Sequence, residues 1–253
     1  MPRANRFFLS NQIYHITHRC HNREFHLKYD KDKRNWLKWL FEARKRFGLS
    51  ILNYTITSNH IHLLVWEGES ASIQNSMQLI AGCTGQAYNN RKGKSGAFWQ
   101  DRYHATIIQD KTHFVRCMAY IDLNMVRAGV ISHPNEYSFS GYHEIRMPKE
   151  KYRLIDHEQL LKISNKSSMA YLIEKIDNEI DSKLDKAKRE NFWTESIAVG
   201  DAEFLNIIKN DLGIKANDRE IEKTEFETMQ LKEDSLEYGI INLPNELFLK
   251  PPF

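Results

Sequence analysis

Two histidines stand one residue apart at His60 and His62, with Ile61 between them. In a β-strand alternate side chains share a face. Both imidazoles would then converge on one side while Ile61 turns into a core, an arrangement that suits two ligands of one divalent cation. The His-x-His pattern alone is short enough to arise incidentally. Further along, Tyr120 and Asn124 lie four residues apart. On a helix that spacing puts both on one face, about 5–6 Å apart at Cβ. A phenol there can act as a nucleophile, and an amide carbonyl can serve as a hard third ligand beside two imidazoles. A packed core tyrosine and a polar helix-end cap fit the same spacing.

The surroundings favour chemistry on a phosphate-rich partner. The chain has 253 residues and a formal net charge of +3, but the charge is unevenly spread. Residues 1–150 hold 21 Lys and Arg against 12 Asp and Glu, and residues 151–253 hold 15 against 21. A basic front half is what phosphate neutralisation requires. Ten of the 11 histidines also fall there. Cys20, Cys83 and Cys117 are odd in number, widely spaced and without a Cys-x-x-Cys pair. They fit neither a disulfide framework nor a cysteine zinc site, and point to a reducing cytoplasmic setting. No stretch approaches the roughly 18 apolar residues of a membrane span, and the first residues lack the apolar block of a secretion signal.

These residues need elements to hold them. Gln12 to His18 alternates and reads as a strand. A helix is expected from Asp30 to about Phe47, its stripe formed by Trp36, Leu40, Ala43 and Phe47, with Gly48 as the stop. Leu49–Thr57 and Ile61–Trp66 read as strands joined by a tight Ser58-Asn59 turn. Ser72–Tyr88 is helical in period, and Arg91 to Gly96 forms a basic loop. A fourth strand is expected over Phe98–Ile108, then a helix over Thr112–Ala128 ended by Gly129. The order β-α-β-β-α-β-α is that of an α+β, ferredoxin-like antiparallel sheet with one added helix. Residues 1–150 are read as one domain and 151–253 as a helical extension with an acidic tail ending in Pro251-Pro252-Phe253. That extension carries a long amphipathic helix marked by Met169 to Leu184 and a short one capped by Asp201 and stopped by Gly213. Residues 201–225 leave room for a small helix-turn-helix, but the helix there lacks a clear basic recognition face, which argues against one.

Three segments in order resemble a known family: Asn59-His60-Ile61-His62-Leu63-Leu64-Val65, Phe98-Trp99-Gln100-Asp101-Arg102-Tyr103-His104, and Tyr120 to Gly129. They resemble the single-tyrosine HUH transposases, and most closely the REP-associated tyrosine transposase branch. Glu136 to Tyr142 looks like that family's Tyr-x-x-Ser-Ser-Tyr stretch, and the likeness spans roughly residues 7–145. It implies His60, His62 and Asn124 as metal ligands and Tyr120 as the nucleophile. The implied reaction is metal-dependent cleavage and rejoining of single-stranded DNA through a 5′-phosphotyrosine link, with hairpin DNA as partner. The family commonly has proline after the asparagine. Here Met125 replaces it, which lets a helix run on to Ala128.

Imidazole and oxygen ligation suits Mg²⁺ or Mn²⁺, with Mn²⁺ the more tolerant of nitrogen, and does not exclude zinc. No nucleotide cofactor is called for, because the covalent link keeps the phosphoester energy. The resemblance is compatible with a monomer or a homodimer. A DNA track is expected along Arg19, Arg23, Arg91, Lys92, Lys94, Arg102, His104 and Arg127, with Trp99 among the stacking candidates. Two rival readings use the same residues: a hairpin-binding protein without cleavage, and a hydrolase in which His60 and His62 activate water while Tyr120 is structural.

Overall fold

The computed structural model of the chain describes residues 8–68, 71–165, 168–186, 188–216, 219–224 and 228–232. Its centre is four antiparallel strands: β1 (Gln12–Arg19), β2 (Ser50–Ile56), β3 (His60–Glu67) and β4 (His104–Ile108). They lie in the order β2-β3-β1-β4, with β1 pairing β3 and β4 on either side. That is the ferredoxin-like arrangement. Helices α1 (Asp30–Phe47) and α2 (Ser72–Lys92) cover one face. The apolar stripe expected for α1 is inside: Trp36, Leu40 and Ala43 are fully buried, and Gly48 ends the helix at φ 67°. In α2, Ile73, Met77, Ile80 and Thr84 turn inward. Gly85 lets Phe98 approach; a Cβ there would stand 3.2 Å from that of Phe98.

The opposite face is polar. The register sets Thr17 opposite His62, and Arg19 opposite His60. Helix α3 (Thr112–Asp122) lies over this face, tied by Asn53 Nδ2 donating to Asp122 Oδ1 at 2.9 Å and Thr55 Oγ1 donating to the Ile121 carbonyl at 3.1 Å. The single helix expected over 112–128 is not continuous. It breaks at Leu123 (ψ 0°) and resumes as the one-turn α4 (Asn124–Arg127). Met125 removes a reason to break, but Asp122 is pinned to β2 and Asn124 to β3, and the backbone between them turns to satisfy both. The fourth strand is also shorter than expected. Residues 101–103 bulge out of the ladder, where Asp101 Oδ1 takes the Arg102 amide at 2.7 Å, a local bond that competes with strand pairing, while Trp99 still bridges Cys20 at the end of β1.

Beyond α5 (Tyr142–Arg146), helices α6 (His157–Ser164) and α7 (Met169–Lys183) form, α7 burying Leu172, Ile176 and Ile180. A single turn α8 (Phe192–Glu195) leads into β5 (Ser196–Gly200), which pairs parallel to β4. Helix α9 (Ala202–Leu212) has the expected Asp201 cap and Gly213 stop. After it come β6 (Ile221–Lys223) and β7 (Met229–Lys232), which complete a seven-stranded sheet. The extension thus supplies strands as well as helices. Over residues 201–225 the described residues hold a helix followed by a strand, in keeping with the argument against a helix-turn-helix there. The acidic tail through Phe253 lies outside the described residues. The three cysteines are free, and among the described residues no helix is long and apolar enough to cross a membrane.

Candidate active site

The tight β2–β3 turn fixes the first histidine. His60 Nδ1 lies 2.7 Å from Asn59 Oδ1 and 2.9 Å from Thr57 Oγ1. The asparagine oxygen can only accept, so Nδ1 carries the proton and Nε2 keeps its lone pair. Burial, helped by Arg19, Arg189 and Arg127, lowers the His60 pKa to about 3. The ring is therefore neutral at ordinary pH, the form that binds metal.

The second histidine is set by a residue that sequence reasoning passed over. His15, on β1, is fully buried and its Nδ1 lies 2.8 Å from the Trp193 carbonyl, which can only accept. Burial lowers its pKa to about 3, so its ring is neutral and its Nε2 must accept. The partner at 2.9 Å is His62 Nδ1, which therefore donates. His62 is itself held well below the usual imidazole range by burial. Its Nε2 is left with a bare lone pair, and Asn124 Nδ2 donates to it at 2.8 Å. One directed chain thus runs from Asn124 through His62 and His15 to Trp193. A ligand histidine commonly gives its other ring proton to such an outer partner, which fixes tautomer and aim.

Tyr120 completes the group. Its ring centroid lies 5.9 Å from that of His62 and 6.1 Å from that of His15. The Arg127 guanidinium sits 4.0 Å over the ring and donates to the Tyr120 carbonyl at 2.7 Å. Burial raises the phenol pKa, while Arg127 and Arg189 pull it back. Tyr120 is 4% exposed. The Trp193 ring, with its centroid 6.1 Å away, covers it from α8.

A cleft of about 450 Å³ opens beside this group. It is lined by His60 and His62, by Arg19, Arg23, Arg102 and His104 of the expected track, and by Arg189. Glu195 and Asp101 are its acidic members. Arg127 stands behind the cleft on Tyr120. Arg91 is bonded to Asp32 and stacked 5.3 Å over Tyr88, Lys92 lies 5.6 Å from the Tyr29 ring, and Lys94 is exposed in its loop; none of the three lines the cleft. Trp99 is partly spent on packing: it stacks on His18 at 3.9 Å and gives its indole N–H to the Ala81 carbonyl at 3.1 Å. Arg189 and Trp193 were also missed from the sequence, because both belong to a segment with no motif of its own.

Residues 8–124 match the family model described as IS200-like transposase. Among solved structures, the chain is similar to a REP-associated tyrosine transposase bound to a REP hairpin. The identity is 15% over 62% of this chain and 94% of that one, with a TM-score of 0.49. It is also similar to a proposed transposase from Deinococcus radiodurans R1, at 16% identity over 41% and 83% of the two chains and a TM-score of 0.33. No curated protein matches the chain.

Proposed function

We propose that this chain cuts and rejoins single-stranded DNA at hairpin-forming sequences through a covalent link to Tyr120, as a transposase of the single-tyrosine HUH type. The observation that carries the reading is the Tyr120 ring, 5.9 Å from an imidazole whose unprotonated Nε2 is paired with Asn124 beside a basic cleft. The Tyr120 oxygen attacks the scissile phosphorus and the P–O3′ bond breaks. The phenol proton ends on the departing 3′-oxygen, and the 5′ side stays on the tyrosine. Attack by a 3′-hydroxyl reverses the step and rejoins DNA without a nucleotide cofactor. Arg19, Arg23, Arg102 and Arg189 hold the backbone phosphates and stabilise the charge that gathers on the reacting one. Because Tyr120 is buried, the segment bearing Trp193 has to yield before a phosphate meets the phenol.

The donor set fits a divalent cation. His60 and His62 are neutral and both keep Nε2 unprotonated, and Asn124, now donating to that of His62, can turn its carbonyl in place of its amide. Among the described residues no three His, Cys, Asp or Glu side chains are placed to hold a metal together, and the Asn124 amide beside His62 is the third ligand this reading assigns. Mg²⁺ or Mn²⁺ bound there would offset negative charge on the phosphate and on the leaving oxygen.

The test is to incubate the protein with labelled hairpin-bearing single-stranded DNA and Mn²⁺, denature, and resolve the products. A protein–DNA adduct that disappears in Tyr120→Phe is expected. Cleavage without an adduct, surviving that substitution, would replace this reading by water-mediated hydrolysis. Tight binding with neither product would make the protein a hairpin binder.

A further inference from the structure

The fold leaves two aromatic side chains outside at one place. Between β1 and α1, His26 and Leu27 point inward, His26 against the Phe98 ring at 5.0 Å and Leu27 fully buried. Their neighbours Phe25 and Tyr29 stand 65% and 52% exposed. The Tyr29 ring gathers three ammonium groups, with Lys28, Lys31 and Lys92 at 6.0, 5.8 and 5.6 Å from its centroid. The ring face attracts each of them, but the three cations repel one another. Among the described residues none of the three lysines makes an ion pair. Asp32, the acid one residue beyond Lys31, is taken by Arg91. The patch is a basic cluster with no ion-pair partner among the described residues.

It also continues the candidate site. Arg23, two residues before Phe25, lines the cleft, and its carbonyl accepts from Asn59 Nδ2 at 3.1 Å, the residue before His60. A path of exposed cation, ring, cation and ring therefore leaves the cleft along this connection. A free phosphate would use the lysines and ignore the rings. A duplex would offer phosphates but hide its base faces. A single strand offers both, because unpaired bases stack on exposed aromatics while lysines follow the backbone.

We infer that the strip from Arg23 through Phe25 to Tyr29, with Lys28, Lys31 and Lys92, grips an unpaired strand outside the cleft. Phe25 and Tyr29 stack bases and the lysines bind the phosphates between them. The inference rests on the proposed function only in taking the same DNA strand as substrate. The experiment is fluorescence anisotropy on the full chain carrying Tyr120→Phe, without metal, so that cleavage plays no part. A labelled single strand is compared with a duplex of equal length. Phe25→Ala and Tyr29→Ala are each expected to weaken single-strand binding about fivefold or more and to shrink the preference over duplex, while Tyr29→Phe restores it. Lys28→Gln with Lys31→Gln is expected to flatten the salt dependence by roughly 0.7 in slope per lysine. Unchanged single-strand affinity in both alanine variants, or an equal loss on duplex, would overturn the strip. The adduct assay on the otherwise native chain reports separately on Tyr120, so either idea can fail alone.

Discussion

His15 makes no contact of its own with the cleft, yet the geometry gives it control of His62. Replacing it with phenylalanine keeps a ring of similar size and removes both polar contacts. His62 Nδ1–H, 2% exposed as a residue, then loses its acceptor at 2.9 Å. Two responses are open. If the tautomer persists, a buried donor goes unsatisfied, at about 1–3 kcal/mol. If the proton moves to Nε2, that nitrogen loses the lone pair a cation needs. Either response acts against metal binding, and loss of such an outer partner typically weakens affinity about 10- to 100-fold, or roughly 1.4–2.7 kcal/mol. His15→Gln offers a carbonyl to His62 and an amide N–H to the Trp193 carbonyl, so it should recover most of the loss. The assay is titration of Mn²⁺ followed by the electron paramagnetic resonance of the free ion, with circular dichroism to establish that each variant is folded. A folded His15→Phe protein that binds Mn²⁺ as tightly as the native chain would refute the tautomer argument. So would a Gln variant no better than the Phe variant.

Two further outcomes follow from buried groups around the site. Burial raises the Asp122 pKa from its ordinary 3.8 to about 6, against the opposing bond from Asn53. The folded state then holds a proton that the unfolded state gives up, so stability is fullest below the unfolded value and falls by about 3 kcal/mol as pH rises through 6. Asp122→Asn should therefore gain on the native chain between pH 4 and pH 7 in urea titrations; a gain equal at both pH values would count against it. Trp193 is fully buried, with its indole donating to Glu190 at 2.5 Å and its ring over Tyr120. Trp193→Ala should lose about 3–5 kcal/mol of stability and make Tyr120 reactive to tyrosine nitration, read by peptide mass spectrometry. A Tyr120 that stays protected would show that the tryptophan is not its cover.

What could be read from the sequence was what repeats locally. The 4-3-4 spacing of Trp36, Leu40, Ala43 and Phe47 marks α1 without reference to the rest of the chain, and alternation in a strand puts His60 and His62 on one face. What escaped depends on partners far away in sequence. His15 is an ordinary alternating residue of β1 until His62, 47 residues on, and the Trp193 carbonyl, 178 residues on, close around it. Strand β5 is a five-residue run of small and apolar residues, mostly buried, and such a run carries no period to separate strand from loop. The break at Leu123 shows the same limit from the other side. Met125 permits a longer helix, but two tertiary hydrogen bonds, Asp122 to Asn53 and Asn124 to His62, outweigh the one helical turn they interrupt. Across the break Tyr120 and Asn124 keep the shared side that their four-residue spacing implies: the Tyr120 ring lies 5.9 Å from the His62 ring and Asn124 bonds to that imidazole. Losing the Asn124 bond would leave the unprotonated nitrogen of His62, which lines the cleft, without its neighbour.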